Sequence, residues 1–291
     1  MLLMAAPAFA QSGNATGQGR AVITIFAKHS EMSPSISRQD VSAKVNGKDA
    51  AVTGWTPLRD ANDGLELVLL IDGGARNLGR QFDEIKQFVQ GLGPHTKAAV
   101  GYMEDGRAVL ASPFSANHAQ VVAELHLPAG SSSNPYFSLS DLARQWPSQA
   151  RGVRREVVLV SDGIDPSIPR FDPEDPYVST AIADSVRAGL VVYSIYWQSR
   201  SVGDNSNDGQ SLLAEVTQST GGNGYWTGTG NPVSFKPFFD DLARRLDNQY
   251  ELDFAAKLDR KPAVENFKFK VTGMALEVAS PQQVYVDRAS N

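Results

Sequence analysis

The run Leu67-Val68-Leu69-Leu70-Ile71-Asp72 constrains this chain more than any other: five apolar residues in a row, then a carboxylate. A strand with no polar face has no wet side. It belongs in a parallel sheet covered by helices on both faces. Ala98 to Tyr102, Val157 to Val160 and Leu190 to Tyr196 have the same character. Between them the period changes. Leu78, Phe82, Ile85, Val89 and Leu92 recur at helical steps, and Leu139, Leu142 and Trp146 form a second stripe. Ile182 and Val186, closed by Gly189, give a third, and Leu212, Leu213 and Val216, stopped at Gly221-Gly222, a fourth. Phe235, Phe238, Phe239, Leu242 and Leu246 make the most regular stripe. Strand–helix alternation predicts an α/β unit with a doubly wound, mostly parallel sheet over residues 65–247.

The flanks carry period-two patterning. Val41, Ala43 and Val45 alternate with polar residues before the hairpin signal Asn46-Gly47, and Ala21 to Phe26 reads as an earlier strand. Tyr250, Leu252 and Phe254 alternate in the same way, as do Phe267, Phe269 and Val271. Leu276 with Val278, and Val284 with Val286, complete the set. Neither flank has enough strands to be stable alone. The expectation is that residues 11–64 and 248–291 form one small antiparallel β-sandwich, with the α/β unit inserted between them. Ala8-Phe9-Ala10 is a small-x-small cleavage pattern behind an apolar stretch, so residues 1–10 read as the remnant of a signal peptide. That predicts a secreted or periplasmic protein.

Composition removes several function classes. With 27 Lys+Arg against 32 Asp+Glu the net charge is −5, so no basic excess exists to neutralise phosphates and nucleic acid is not an expected partner. The absence of cysteine excludes disulfides, thiolate metal sites and cysteine nucleophiles. The four histidines show no metal-ligand spacing, and no nucleophile elbow, Walker loop or zinc-protease motif occurs. No other segment approaches the length of a membrane span.

In doubly wound sheets, ligands bind beyond the carboxyl ends of the strands. Asp72 and Asp162 fall there, each directly after an apolar strand. Two such carboxylates suit a hard divalent cation, and equally suit capping of the following turn. The same rim carries the proline-rich segment Gly163 to Pro176, where Phe171 beside Arg170 is a candidate partner contact. Asn134-Pro135-Tyr136-Phe137 brings two aromatics nearby. Tyr136 is expected to be exposed and is a further candidate partner contact, with Phe137 expected to lie in the core. The four tryptophans are expected in the core or at domain seams.

LVLLIDGGAR, REVVLVSDGID, VTQSTGGNGYW and QYELDF, in that order and spacing, resemble the von Willebrand factor type A (VWA) family. The likeness is to exported bacterial members with β-strand flanks. That resemblance implies adhesion or assembly rather than turnover. It also implies a metal-ion-dependent adhesion site built from Asp-x-Ser-x-Ser, a Thr from a second loop and a later Asp. Here the first motif is Asp72-Gly73-Gly74-Ala75-Arg76, with both serines replaced, by Gly74 and Arg76. Phe137 aligns with the Thr, with Ser131, Ser132 and Ser133 a little upstream as substitutes, and Asp162 matches the last ligand. Two surviving ligands of five are too few for Mg²⁺, which demands octahedral oxygen geometry. Arg76 would also repel a divalent ion. The expectation is a degenerate site in which Arg76 pairs with Asp72 or Asp162, the alternative being that it points into solvent. No cofactor is expected, although weak divalent binding at Asp72 and Asp162 stays open. The leading reading is a non-enzymatic module that binds another protein or an envelope surface through its top-face loops. Alternatives are a magnesium-dependent phosphotransfer enzyme of the haloacid-dehalogenase type, which would want an Asp at the position of Gly74, and a structural subunit of an envelope complex.

Overall fold

The computed structural model describes residues 16–27, 35–130, 134–150, 152–165, 172, 174–198, 206–258, 261–272 and 276–289. The candidates Ser132, Arg170 and Phe171, and the segment 1–10, lie outside the described residues.

Two sheets organise the chain. The first uses β4 (Leu65–Asp72), β5 (Thr96–Glu104), β6 (Arg107–Leu110), β7 (Arg154–Ser161), β8 (Leu190–Tyr196) and β9 (Gly224–Tyr225). Their order is β6-β5-β4-β7-β8-β9, parallel throughout except for the edge hairpin β5–β6. The central strand β4 is buried at every position, as its unbroken apolar run requires. Helices α1 (Gly79–Gln90), α2 (His118–Ala123) and α6 (Lys236–Leu246) cover one face. Helices α3 (Pro135–Arg144), α4 (Pro176–Ala188) and α5 (Ser206–Thr220) cover the other. Their ends follow local chemistry. Asp175 caps α4 by accepting the Tyr177 N–H at 2.7 Å, Pro176 takes the first turn, and Gly189 ends the helix at φ 68°.

The second sheet is built from both flanks: β1 (Thr16–Ala27), β2 (Val41–Val45), β3 (Lys48–Pro57), β10 (Gln249–Lys257), β11 (Ala263–Val271), β12 (Leu276–Ala279) and β13 (Gln283–Arg288). Here the expected sandwich gives way to a closed, barrel-like ring. The order runs β10-β3-β2-β11-β13-β1, and β1 then pairs with β10, leaving β12 attached to the end of β1. The twelve residues of β1 make this possible, pairing β10 on one side and β13 and β12 on the other. Closure gives the backbone groups of every ring strand partners and leaves no open edge in the ring. The period-two residues fill the interior, among them Ile23, Ile25, Ala43, Leu252, Phe254 and Val286.

Arg154, at the start of β7, ties the two sheets together. Its Nη1 donates to the carbonyls of Leu58 and Leu246 at 3.3 and 2.9 Å and to Gln249 Oε1 at 2.7 Å. It thus fastens the chain where it enters and leaves the α/β unit.

Candidate functional site

The carboxyl ends of β4, β5, β7 and β8 form a rim, and the loops leaving them carry the candidate residues. Asp72 ends β4 and is almost wholly buried. Its Oδ1 accepts the Gly74 N–H at 2.7 Å and its Oδ2 the Ser161 hydroxyl at 3.1 Å. Ser161 in turn accepts the Gly163 N–H at 3.1 Å. Asp162 is equally buried, and its Oδ1 accepts the Ile164 N–H at 3.0 Å. Both aspartates therefore shape their own turns. Ser161, directly before Asp162, bridges the two loops and is the rim residue that sequence reasoning missed.

The aromatic pair is inverted relative to expectation, and burial removes Tyr136 as a partner contact. Tyr136 is fully buried and donates to the Gly163 carbonyl at 2.7 Å, whereas Phe137 is 39% exposed. Helical phase explains this. With Pro135 fixed in the first turn of α3, Tyr136 falls on the stripe of Leu139 and Ala143, and Phe137 falls on the opposite face with Asp141. Phe137 instead meets Tyr177 across the helix pair, ring centroids 4.4 Å apart. Trp226, expected inside, is also exposed at 41%, while Trp146 and Trp197 are buried.

Arg76 does not fill the place expected of it. It is exposed, and among the described residues it makes no ion pair with Asp72 or Asp162. Its loop is held through the backbone, where Trp197 Nε1 donates to the Arg76 carbonyl at 3.0 Å.

The interior beneath the rim is electronegative. Burial pushes the Tyr136 phenol well up, reinforced by Asp162, Asp175, Glu215 and Asp165. Burial and then Asp162 push Tyr196 to about 12. Glu215 is raised by burial and then by Asp175. The phenols stay neutral, and that of Tyr136 serves as a donor. Asn134 Nδ2 donates to Asp165 Oδ1 at 2.6 Å, binding the start of α3 to the β7 loop.

One close approach fixes the geometry. A Cβ on Gly209 of α5 would lie 1.9 Å from the Asp162 carbonyl oxygen, and one on Gly163, at φ 69°, 2.5 Å from the Gly209 oxygen. Only glycine at both positions lets α5 seat directly on the Asp162 turn.

A VWA-type metal ion would need further oxygen donors. At the positions where the resemblance calls for them stand Gly74, Arg76 and Phe137, none with a side-chain oxygen. Among the described residues no group of three or more His, Asp or Glu side chains is placed to hold a metal ion. The described donor set does not fit an octahedral ion.

Strand order β6-β5-β4-β7-β8-β9, with helices on both faces, gives this chain a doubly wound α/β fold, as the resemblance to the VWA family implies. Solved structures to which it is similar include an aerotolerance-related membrane protein from Bacteroides fragilis NCTC 9343, at 12% identity over 63% of this chain and 99% of that one, with TM-score 0.46. Another is the pilus adhesin SpaC from Lactobacillus rhamnosus GG in its open conformation, at 8% identity over 86% and 48%, with TM-score 0.49. A third is the vWF domain of the type V pili tip protein Mfa5 from Porphyromonas gingivalis, at 13% identity over 62% and 94%, with TM-score 0.42. No protein-family model and no curated protein matches the chain. The likenesses are of fold alone.

Proposed function

We propose that this chain is a non-enzymatic binding module that recognises another protein, or an envelope surface, through the rim of its VWA-like unit. One observation carries the reading. Of the seven exposed large apolar side chains among the described residues, five stand on the rim: Leu127, Phe137, Tyr177, Trp226 and Val233. The other two, Val109 and Val278, lie on edge strands. Apolar side chains gathered at one end of a domain mark an interaction surface, and aromatic ones are the usual anchors. The loop bearing Trp226 and Val233 is held in place, since Gln81 Nε2 donates to the carbonyls of Pro232 and Val233 at 3.0 and 2.9 Å. A braced loop loses little entropy on binding.

In this reading Asp72 and Asp162 brace the loops, and recognition uses no metal ion. The module acts outside the cytoplasm, which the Ala8-Phe9-Ala10 cleavage pattern supports. Among the described residues no helix is long and apolar enough to cross a membrane. Photo-crosslinking in the native cell tests the proposal, with a benzophenone side chain placed at Tyr177, at Trp226, or at Val278 on the barrel. Discrete protein adducts from the two rim positions and none from Val278 are expected. Adducts from Val278 alone would give the contact to the barrel instead. Asp72-dependent turnover of generic phosphate esters would replace the proposal with an enzyme.

A further inference from the structure

A cleft of about 850 Å³ lies at the end of the α/β unit opposite the rim, where the amino ends of β7 and β8 meet the barrel strands β1, β10 and β13. Its volume is that of a small-molecule site. β7 begins here with two arginines in succession, Arg154 and Arg155, and both line the cleft.

The charges of the cleft sort by whether the protein already neutralises them. Arg20 on β1 bridges Asp253 and Glu251 of β10, at 3.0 and 3.3 Å, so one guanidinium answers two of the three carboxylates that line the cleft. Arg187, in the last turn of α4, offsets the helix C-terminus there and pairs with Asp184 at 3.1 Å. Arg154 and Arg155 differ from both, since neither forms an ion pair among the described residues. Arg154 is 8% exposed; its Nη1 is taken up by two carbonyls and the Gln249 amide oxygen, and its Nε is buried without a hydrogen-bond partner. Arg155 is half-buried. Its Nη2 donates to the Ser148 carbonyl at 3.3 Å, and its guanidinium lies 5.7 Å from the centre of the Trp146 ring. Glu156, two residues along β7, acts on Arg154 electrostatically without pairing with it, and burial pushes its acid up toward the neutral form. The remaining carboxylate of the lining, Asp287, is exposed, where water and salt screen it. A sheltered guanidinium bonded only to neutral groups keeps its charge uncompensated, and its planar fork fits carboxylate and phosphate oxygens.

We propose that this cleft binds a small organic oxyanion, its carboxylate or phosphate group held by Arg154 and Arg155, with the half-buried Gln283 and Tyr285 of β13 on the barrel wall. The site is independent of the rim and does not rest on the reading given for it.

The test uses the full chain and four probes built on one ring: phenyl phosphate, benzoate, benzamide and benzylammonium. Binding is followed by calorimetry and by amide chemical shifts. One anion or both should bind at least about tenfold tighter than benzamide, and benzylammonium more weakly than benzamide. Shifts should fall on the starts of β7 and β8 and on β13. The tighter of the two anions tells whether the head group is phosphate or carboxylate. Three variants separate the causes. Arg155→Gln leaves the buried Arg154 in place and should weaken the preferred anion about tenfold while the thermal midpoint holds. Asp287→Asn, at an exposed position, should strengthen it about twofold. Thr53→Trp, at an exposed position of the cleft wall on β3, should block anion binding. Equal affinity for the anions and benzamide, or an unchanged preference in Arg155→Gln, overturns the charge assignment. Absence of binding, shifts elsewhere, or binding that survives Thr53→Trp overturns the site.

Discussion

Replacing Gly209 by alanine puts two known effects in opposition at one position of α5. In a free helix the change is favourable by about 1 kcal/mol, because alanine loses less backbone freedom than glycine. Here the new methyl would sit 1.9 Å from the Asp162 carbonyl oxygen and 3.3 Å from Ile164 Cδ1. An ordinary carbon–oxygen contact is roughly 3.2 Å, so the start of α5 must retreat by about 1 Å or more. The obstacle is backbone on a buried turn, fixed by the Asp162 and Ser161 hydrogen bonds, and it cannot swing aside as a flexible side chain can. Overpacking of this kind costs about 1–3 kcal/mol, and the upper end applies where both partners are backbone. The steric term wins, leaving a net loss of about 1–2 kcal/mol, or about 3–6 °C in thermal midpoint for a unit of this size. Calorimetry or urea unfolding reads the effect directly. Asn207→Ala, at an exposed position two residues earlier, is the control and should be neutral or slightly stabilising. If Gly209→Ala proves as stable as the parent or more so, the seating of α5 on the Asp162 turn is wrong.

Three further outcomes follow from the same geometry. Tyr136→Phe removes the donor to the Gly163 carbonyl and should cost about 1–2 kcal/mol in urea unfolding, the price of a buried acceptor left unsatisfied; no measurable loss would place the phenol elsewhere. Phe137→Ser with Tyr177→Ser should change stability by less than about 1 kcal/mol, since both side chains are well exposed, yet abolish the crosslink from position 226. Retained crosslinks would exclude the pair as an anchor. Glu156, wholly buried on β7, is raised by burial against the opposing pull of Arg154, Gln249 and Tyr193. An acid weakened by folding stabilises the fold at low pH. Its contribution is therefore full below the ordinary value of about 4.5 and is lost as pH rises through the raised one. Glu156→Gln should flatten that decline, by about 1.4 kcal/mol for each tenfold weakening of the acid. An identical pH slope in variant and parent would contradict the assignment.

The parallel sheet and its helices were legible because their signals are local. The unbroken run of β4 and the helical stripes of α1 and α6 each state their burial within a dozen residues. Ring closure was not legible. Pairing of β1 with β10 joins residues more than two hundred positions apart, and alternation alone does not distinguish a barrel from a sandwich. The site was half legible. A carboxylate after an apolar strand marks the rim, but which way a rim side chain turns depends on one residue of phase. Tyr136 and Phe137 exchanged roles for that reason. For Arg76 the sequence offered both pairing and solvent, and among the described residues it is exposed with no ion pair to either aspartate. Ser161 was hidden by its position at a strand end, where nothing in its neighbours announces a bond to Asp72 across the sheet.

The central claim is that the rim binds its partner with side chains rather than through a metal ion. The most direct measurement is the yield of the Tyr177 crosslink in the native envelope, compared in chelator and in added Mg²⁺, for the parent chain and for Asp72→Asn. The account predicts one yield across all four conditions, because Asp72 acts as an acceptor that braces the rim loops, and Asn keeps an acceptor there. A crosslink lost in chelator, restored by Mg²⁺ and abolished by Asp72→Asn would contradict it.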